Sequence, residues 1–477
     1  MNVRTDAAPR YPGLWQKILS LIFIAPLAMV LAYAATGANN YIFLLVVASI
    51  LFLAVLTDFH VSLVMILVSS FFLGWAIWFF QLPPQLINLS YVLIIMMLLR
   101  EFFFTANFTS VRTPINYLLL CLIAVGALSF LNGNVMPYPA VKSMLRHVGY
   151  LLFFVLLIMA RLSEKTMRRL VWTVIIVAFI QIPASIMQYG WYTLVAPKEF
   201  GTRADLSGGI LGVSVGGHNA VMMAMTFCLM VGFMLVNRKR WYLGLAGLAL
   251  MIPIYLSSAR AGVLMFAGAA LFMLVIAPRE RHAGLIKRLY AAMMVLAIII
   301  GLALSGLGGE SFSNLFDFNY MYEYSVKRAD SGMGRLEAFG VVKTTLDSPL
   351  LKLIGRGPGA ATPTSIVKNK SSLMAEDPTL FKGMTTYALV TLELGYLGLA
   401  LFLLIFLRML FASRKLLKVI DDPFWEAIAL GFGGMVFVYI ISSLYVSSWI
   451  HYAETFAFWA VAAALYRVGQ LKGIFRQ

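Results

Sequence analysis

The sequence predicts an all-α, polytopic membrane protein with about fourteen transmembrane helices, on three observations. Hydrophobic residues make up 61% of the 477-residue chain and charged residues 12%, whereas an average soluble domain is roughly 25% charged. Apolar stretches long enough to cross about 30 Å of hydrocarbon recur along the chain. Lys and Arg cluster between those stretches. A chain with so few polar side chains cannot cover a water-facing surface, so lipid must surround most of it.

The apolar stretches give the helix count. Two of them, 86–100 and 145–160, are short or begin with charged residues, and a re-entrant or interfacial segment is the alternative for each. An even number of spans places both termini on one side of the membrane. The full set lies near 17–35, 41–57, 61–80, 86–100, 115–132, 145–160, 168–186, 218–236, 241–257, 261–277, 289–306, 384–407, 424–446 and 452–467.

The distribution of basic residues predicts that both termini are cytoplasmic. More than half of the 37 Lys and Arg residues fall in short segments on that side, such as 161–169, 238–240 and 408–418. Such asymmetry fixes the orientation of membrane proteins. It also accounts for the net charge of +17 without a nucleic-acid partner.

Two segments on the opposite, outside face are too long to be simple connections, and they divide the chain into four regions. Residues 1–217 hold predicted helices 1–7 and end in a glycine-rich loop, 187–217. Residues 218–306 hold helices 8–11, residues 307–383 form a large loop, and residues 384–477 hold helices 12–14. We see no internal repeat and no inverted duplication, which weakens a transporter interpretation.

Arginines on the outside face are the first candidates for a site. Arg260 lies in Ser-Ser-Ala-Arg260-Ala-Gly at a span boundary, and Arg335 lies in Ser-Gly-Met-Gly-Arg335 within the large loop. A guanidinium is a permanently charged, planar donor that suits phosphate oxygens. The alternatives are an arginine that extends to lipid headgroups and a solvated loop charge. After Arg335 we expect a short amphipathic helix ended by Pro349, then a glycine-rich turn that carries Arg356 and suits an anion.

Three further residues are candidates for the same site. Glu393 lies inside a predicted span, where a carboxylate marks a functional site by default. Its alternative is structural, in hydrogen bonds to neighbouring helices. His218 opens a span as either a helix cap or a site residue, and Arg203 lies in the glycine-rich loop.

Absent motifs narrow the chemistry. The sequence has no Asp-x-Asp pair, the signature of metal-dependent glycosyltransferases, and we expect neither a metal site nor a cofactor. It has no Walker A and no His-Glu-x-x-His motif, so ATP-driven transport and zinc proteolysis are not expected. Cys121 and Cys228 fall in apolar stretches and predict no disulfide.

The order of these features resembles the bacterial O-antigen ligase and polymerase superfamily. The similarity covers about residues 210–407 and rests on Ser-x-Arg260-Ala-Gly, Gly-Arg335 and Glu393-Leu-Gly-Tyr-Leu-Gly398. Members act on undecaprenyl-diphosphate-linked glycans at the outer face of the bacterial inner membrane. The resemblance implies a GT-C-like fold in that membrane, with the large loop in the periplasm and both termini in the cytoplasm.

The resemblance also implies a metal-independent glycosyl transfer in which Arg260 and Arg335 bind the lipid pyrophosphate. A hydroxyl of the acceptor glycan attacks the anomeric carbon of the donor, and undecaprenyl diphosphate leaves. The expected partners are lipid-linked glycan donor and acceptor, the bilayer, a chain-length regulator and a flippase. We assign catalytic roles to Arg260, Arg335 and Glu393 and substrate-binding roles to Arg203, His218 and Arg356.

One departure favours the polymerase branch of the family. Ligases carry a His-Asn pair shortly before the Glu-Leu-Gly motif, where residues 383–386 of this chain read Gly-Met-Thr-Thr. A polymerase that joins repeat units into O-antigen or exopolysaccharide tolerates this loss better. Glu376, Asp377 or His218 could supply a base. The alternatives are an O-antigen ligase acting on lipid A-core and, from another class, a lipid-linked oligosaccharide flippase.

Overall fold

The structure, a computed structural model, is helical throughout the part of the chain that it describes. Within that part, extended pairing is limited to one isolated bridge between Ser207 and Val213. The predicted all-helical class is therefore confirmed. The described residues are 59–80, 84–101, 113–130, 137–195, 207–213, 215–236, 241–257, 259, 261–277, 334–361, 373, 384–450 and 453–475.

Backbone contacts divide the chain into two units, and the site described below lies in the second. The first unit comprises Met1–Ser69 and Asn88–Phe108, and the second comprises Ser70–Ile87 and Thr109–Gln477. The α-helices are α1 Phe59–Phe79, α2 Leu89–Arg100, α3 Asn116–Ser129, α4 Pro137–Met159, α5 Glu164–Gly190, α6 Gly216–Val236, α7 Trp241–Leu248, α8 Met251–Leu256, α9 Ala261–Ile276, α10 Arg335–Thr345, α11 Pro349–Ile354, α12 Thr386–Val419, α13 Pro423–Ser442 and α14 Ala453–Leu471.

Five described helices are long and apolar enough to span a membrane, namely α1, α5 with its extension to Val195, α6, α12 and α13. The apolar helices α2, α3, α7–α8 and α9 are shorter, and so is the apolar part of α4, Ser143–Met159. With 12 residues, α2 rises only about 18 Å, so it does not cross the hydrocarbon by itself. The predicted spans 17–35, 41–57 and 289–306 lie outside the described residues, and the count of fourteen stays a prediction.

Helix α14 lies at the core of the second unit. Its residues are buried from Ala453 through Gln470, and it packs on α4 and α5. Helices α6 and α13 approach closely because Gly232 and Gly431 lie at their contact. A Cβ on Gly431 would be 2.8 Å from the Cys228 carbonyl oxygen. Small residues at such contacts are typical of helices packed in membranes, and the buried Cys228 belongs to this packing.

Two predicted boundaries differ from the structure around the outside loops. Helix α5 passes residue 187, and a π-helical turn, Trp191–Val195, continues it. Helix α10 ends at Thr345 rather than at Pro349, and Pro349 begins α11. Proline suits that first position because its missing N–H would have no helical partner there, and the Ser348 hydroxyl caps the helix by accepting from the Leu351 N–H.

The glycine-rich segment 207–213 packs back against α5 instead of forming an open loop. The backbone N–H groups of Gly209 and Ile210 donate to the side-chain oxygens of Gln188 and Gln181, over 2.7 and 2.9 Å. The segment is buried from Ser207 to Gly212. Two glutamines on an apolar helix thus supply the acceptors that buried backbone requires.

Polar contacts gather at opposite ends of α12, α13 and α14. We call one the charged end, where Arg168 pairs with Glu164 and Asp422, and Lys472 lies 4.0 Å from Glu164. We call the other the kinked end, formed by the residues around Glu393 and Tyr445. Segments 161–169 and 408–418 were predicted to share a side, and in the structure 161–169 lies at the charged end together with Lys415 of the second segment, which donates to the Ile474 carbonyl oxygen.

The two ends are separated by about the thickness of a bilayer core. Residues 396–415 of α12 are continuous helix, and at about 1.5 Å per residue they rise roughly 30 Å. The hydrocarbon core of a bilayer has the same thickness.

Candidate functional site

A break in α12 at Gly395 organises the kinked end. Gly395 has φ 71° and ψ −177°, a conformation essentially restricted to glycine. In an unbroken helix the carbonyl oxygens of Leu392 and Glu393 would accept from the N–H groups of Tyr396 and Leu397. The break leaves both carbonyls available to donors from elsewhere in the chain.

The glycine-rich turn after α11 supplies those donors. The N–H of Arg356 donates to the Leu392 carbonyl over 2.9 Å, and the N–H of Gly357 donates to the Glu393 carbonyl over 3.0 Å. Non-helical backbone at membrane depth is tolerated when it is buried in protein in this way. The turn and the interrupted helix therefore form one structural unit.

Two facing glycines permit this close approach. Gly355, with φ 77° and ψ −177°, adopts the same conformation as Gly395. A Cβ on Gly355 would lie 2.5 Å from the Glu393 carbonyl, and one on Gly395 would lie 2.2 Å from the Leu353 carbonyl oxygen. Any side chain at either position would overlap backbone.

The buried carboxylate of Glu393 joins three elements. One oxygen accepts the Ala361 N–H over 3.2 Å, which fastens the glycine-rich turn. The other accepts from the Ser143 hydroxyl and lies 2.6 Å from His147 Nε2, and both residues belong to α4. A buried carboxylate is costly unless it is hydrogen-bonded. These bonds match the structural alternative for Glu393, since they position the turn against α12 and α4.

Trp449 determines which nitrogen of His147 carries the proton. The Trp449 indole N–H donates to His147 Nδ1 over 2.9 Å, and an indole nitrogen is a donor only. His147 Nδ1 must then be an acceptor, so its proton sits on Nε2 and is donated to Glu393. Both ring nitrogens of His147 are engaged, and the residue is almost completely buried.

Arg335 is fixed against Tyr445 at the start of α10. Its Nε donates to the Tyr445 carbonyl oxygen over 2.7 Å, and its Cζ lies 3.7 Å from the centre of the Tyr445 ring. Stacking on an aromatic face suits a planar guanidinium. The side chain is 6% exposed, so it holds one position rather than moving in solvent.

An apolar cavity of about 490 Å³ opens beside Arg335. Eleven described residues line it, from α9, α10, α13 and the loop after α13, and Arg335 is the one charged member among them. Leu264 and Leu444 on its wall are 54% and 49% exposed, so large apolar side chains are accessible at its opening. Ala261, the residue that follows Arg260 in the sequence, is also part of the wall.

His218 lies in the first turn of α6, directly after a glycine that packs near Tyr445. Its Nδ1 is 2.5 Å from an oxygen of Glu454, so the pair connects the first turns of α6 and α14. Glu454 is fully buried and His218 is 16% exposed. Gly217 packs on the tyrosine, because a Cβ there would lie 3.7 Å from Tyr445 Cε1. Tyr445 thus lies against both Arg335 and the first turn of α6.

The structure describes four of the six predicted site residues. Arg335, Glu393 and His218 all lie at the kinked end, each with its own partners. Arg356 is near them, but its Nε and Nη2 donate to the Thr345 carbonyl oxygen over 3.1 and 2.9 Å and fasten the end of α10. Arg203 and Arg260 lie outside the described residues.

Sequence reasoning missed the central role of the loop 443–450. Its Tyr445 supports Arg335, its Trp449 orients His147, and its Val446 carbonyl accepts from the backbone N–H and the hydroxyl of Thr386 at the start of α12. Backbone carbonyls carry no sequence signal. The tryptophan and tyrosine beside a span end were visible, but such residues are common at membrane interfaces.

The fold and the site define a helical membrane protein with a buried arginine that stacks on a tyrosine beside an apolar cavity. Among the described residues, no three His, Cys, Asp or Glu side chains gather as a metal-ligand set. The chain matches no protein-family model and no curated protein sequence.

Proposed function

We propose that this chain polymerises undecaprenyl-diphosphate-linked oligosaccharide repeat units into a bacterial O-antigen or exopolysaccharide at the periplasmic face of the inner membrane. The observation that carries the proposal is a fixed guanidinium, Arg335, on the wall of an otherwise apolar cavity. A ligand that fits this site has an anionic head and an apolar tail. A polyprenyl diphosphate has that chemistry.

In the proposed reaction Arg335 stabilises the leaving group. The acceptor hydroxyl attacks the anomeric carbon, the bond from that carbon to the phosphate oxygen breaks, and negative charge grows on the departing diphosphate. A guanidinium held in place before the reaction stabilises that charge without reorganising. Arg260 is proposed as the second guanidinium, and the position of its neighbour Ala261 on the cavity wall supports this.

The experiment is polymerisation in vesicles that contain the purified protein and lipid-diphosphate repeat units. We expect a ladder of products without a second acceptor lipid. Arg335→Ala should lower the rate by about 10²–10³-fold, as for the loss of one electrostatic donor at a transition state. Lys343→Ala is the matched control, because Lys343 is an exposed cation on the same helix, and it should leave the ladder unchanged.

Three results would contradict the proposal. A folded Arg335→Ala variant that makes normal-length polymer would show that Arg335 does not bind the diphosphate. Products that form only when lipid A-core is added indicate a ligase. Single repeat units that cross the vesicle membrane without joining indicate a flippase.

A further inference from the structure

His218 and Glu454 form a pair that the proposed leaving-group chemistry does not use. The carboxylate of Glu454 is fully buried at the start of α14, and it faces His218 Nδ1 at 2.5 Å. The histidine keeps 16% of its side chain accessible. A carboxylate that orients an imidazole and stabilises its protonated form is the arrangement found where histidine accepts a proton during catalysis.

The second His–Glu pair at this end provides a comparison within the molecule. His147 also faces a buried carboxylate, but its Nδ1 accepts from Trp449 and its Nε2 faces Glu393. With 1% of its side chain exposed, His147 has no route to a substrate hydroxyl. His218 is the partly accessible histidine of the two.

We propose that His218 is the base that accepts the proton of the attacking hydroxyl, and that Glu454 is its positioning residue. The proposal rests on glycosyl transfer at the Arg335 site. The hydroxyl oxygen forms the new bond to the anomeric carbon, and the electron pair of the breaking bond leaves with the diphosphate. The hydroxyl proton passes to His218, beside the Glu454 carboxylate, and is later released to solvent.

The location of His218 relative to Arg335 fits this division of roles. Nucleophile and leaving group stand on opposite faces of the anomeric carbon, so the base and the guanidinium must face the sugar from opposite sides. Reacting atoms about 3 Å apart and a base about 3 Å from the proton it takes place the two groups roughly one monosaccharide apart. In the structure Arg335 and Gly217, the residue before His218, both lie against the ring of Tyr445, so the two groups are close enough to act on one sugar.

The test separates proton transfer from donor binding. His218→Gln should lower kcat by about 10²–10⁴-fold, the range for a lost general base, while the affinity for a lipid-diphosphate donor stays unchanged. Glu454→Gln should lower kcat less and leave KM unchanged, and Glu454→Asp should restore part of the loss. His60→Gln is the matched control, since His60 is exposed on α1, and it should behave as wild type.

Further outcomes distinguish a failure of the His218 base assignment from a failure of the proposed polymerase activity. If wild type makes no polymer, the function itself fails. If wild type polymerises and His218→Gln does so at the wild-type rate, the base assignment fails alone. Equal losses of donor affinity and turnover mean that the pair only ties α6 to α14, which also overturns the proposal. In His218→Ala, added imidazole should restore transfer, because a free base replaces a missing base but not a missing interhelical contact.

Discussion

At the charged end, Arg168 pairs with Glu164 and Asp422 while these side chains stay 35%, 32% and 29% exposed. At the kinked end, Glu393 pairs with His147 at exposures of 0% and 1%. Exposed pairs contribute about 0–1 kcal/mol and tolerate change, whereas removing one member of a buried pair leaves an uncompensated group. The comparison teaches that the charged end follows the general rules of helix termini, while the kinked end depends on a few specific partners.

The largest loss of stability should come from adding a side chain at one of the two facing glycines, Gly355 and Gly395. Gly395→Ala forces a side chain into a glycine-only conformation and into the Leu353 carbonyl. Backbone strain and overpacking each cost about 1–3 kcal/mol, so the variant should unfold in detergent at a much lower temperature than wild type. Gly340→Ala is the control. Gly340 lies in α10 with no atom within 4 Å of the added Cβ, and alanine there should stabilise by about 0.5–1 kcal/mol. Equal stability of the two variants would show that the break is not required.

A smaller effect should come from Glu393→Gln, although the two side chains have the same shape. The amide group places an N–H₂ opposite either the His147 Nε2–H or the Ala361 N–H, so two donors face each other in both orientations. A buried unsatisfied donor costs about 1–3 kcal/mol. The loss should appear in the unfolding temperature.

Trp449→Phe tests the reason for that loss. Without the indole N–H, His147 can move its proton to Nδ1 and accept from the new amide at Nε2. The double variant should therefore be more stable than the sum of the single changes predicts, as coupled neighbours are. Strict additivity would contradict the proposed tautomer.

The smallest effect belongs to the charged end. Burial alone would raise the pKa of Asp422, but hydrogen bonds from Arg168 and from the Trp425 and Phe424 N–H groups outweigh it and hold the pKa below the ordinary 3.8. Asp422→Asn keeps the helix cap and should cost about 1 kcal/mol or less. Because the folded pKa is lowered, the difference from wild type should persist above the unfolded pKa and disappear as the pH falls through the lower folded value. A difference that persists in acid would assign the effect to packing.

The charged end was predictable from sequence and the kinked end only in part. Basic clusters between apolar stretches identify segments that share a side, and Glu164, Arg168 and Asp422 lie in or next to such segments. Glu393 and Arg335 stood out because charges are rare in such a chain. Their partners did not, because Ser143, His147 and Tyr445 are distant in sequence and two of the key acceptors are backbone carbonyls. The break at Gly395 was equally hidden, since Leu-Gly-Tyr-Leu-Gly is compatible with a regular transmembrane helix.

The interruption of α12 also bears on how the chain is assembled during synthesis. Its two displaced carbonyls, at Leu392 and Glu393, receive their donors from Arg356 and Gly357, which leave the ribosome before α12 does. The glycine-rich turn is therefore synthesised before α12, the helix whose carbonyls it serves. A nascent chain with residue 361 outside the ribosomal exit tunnel and α12 still inside it would expose the turn without its acceptors in α12. Releasing α12 from the tunnel should then protect that turn from protease in a single step.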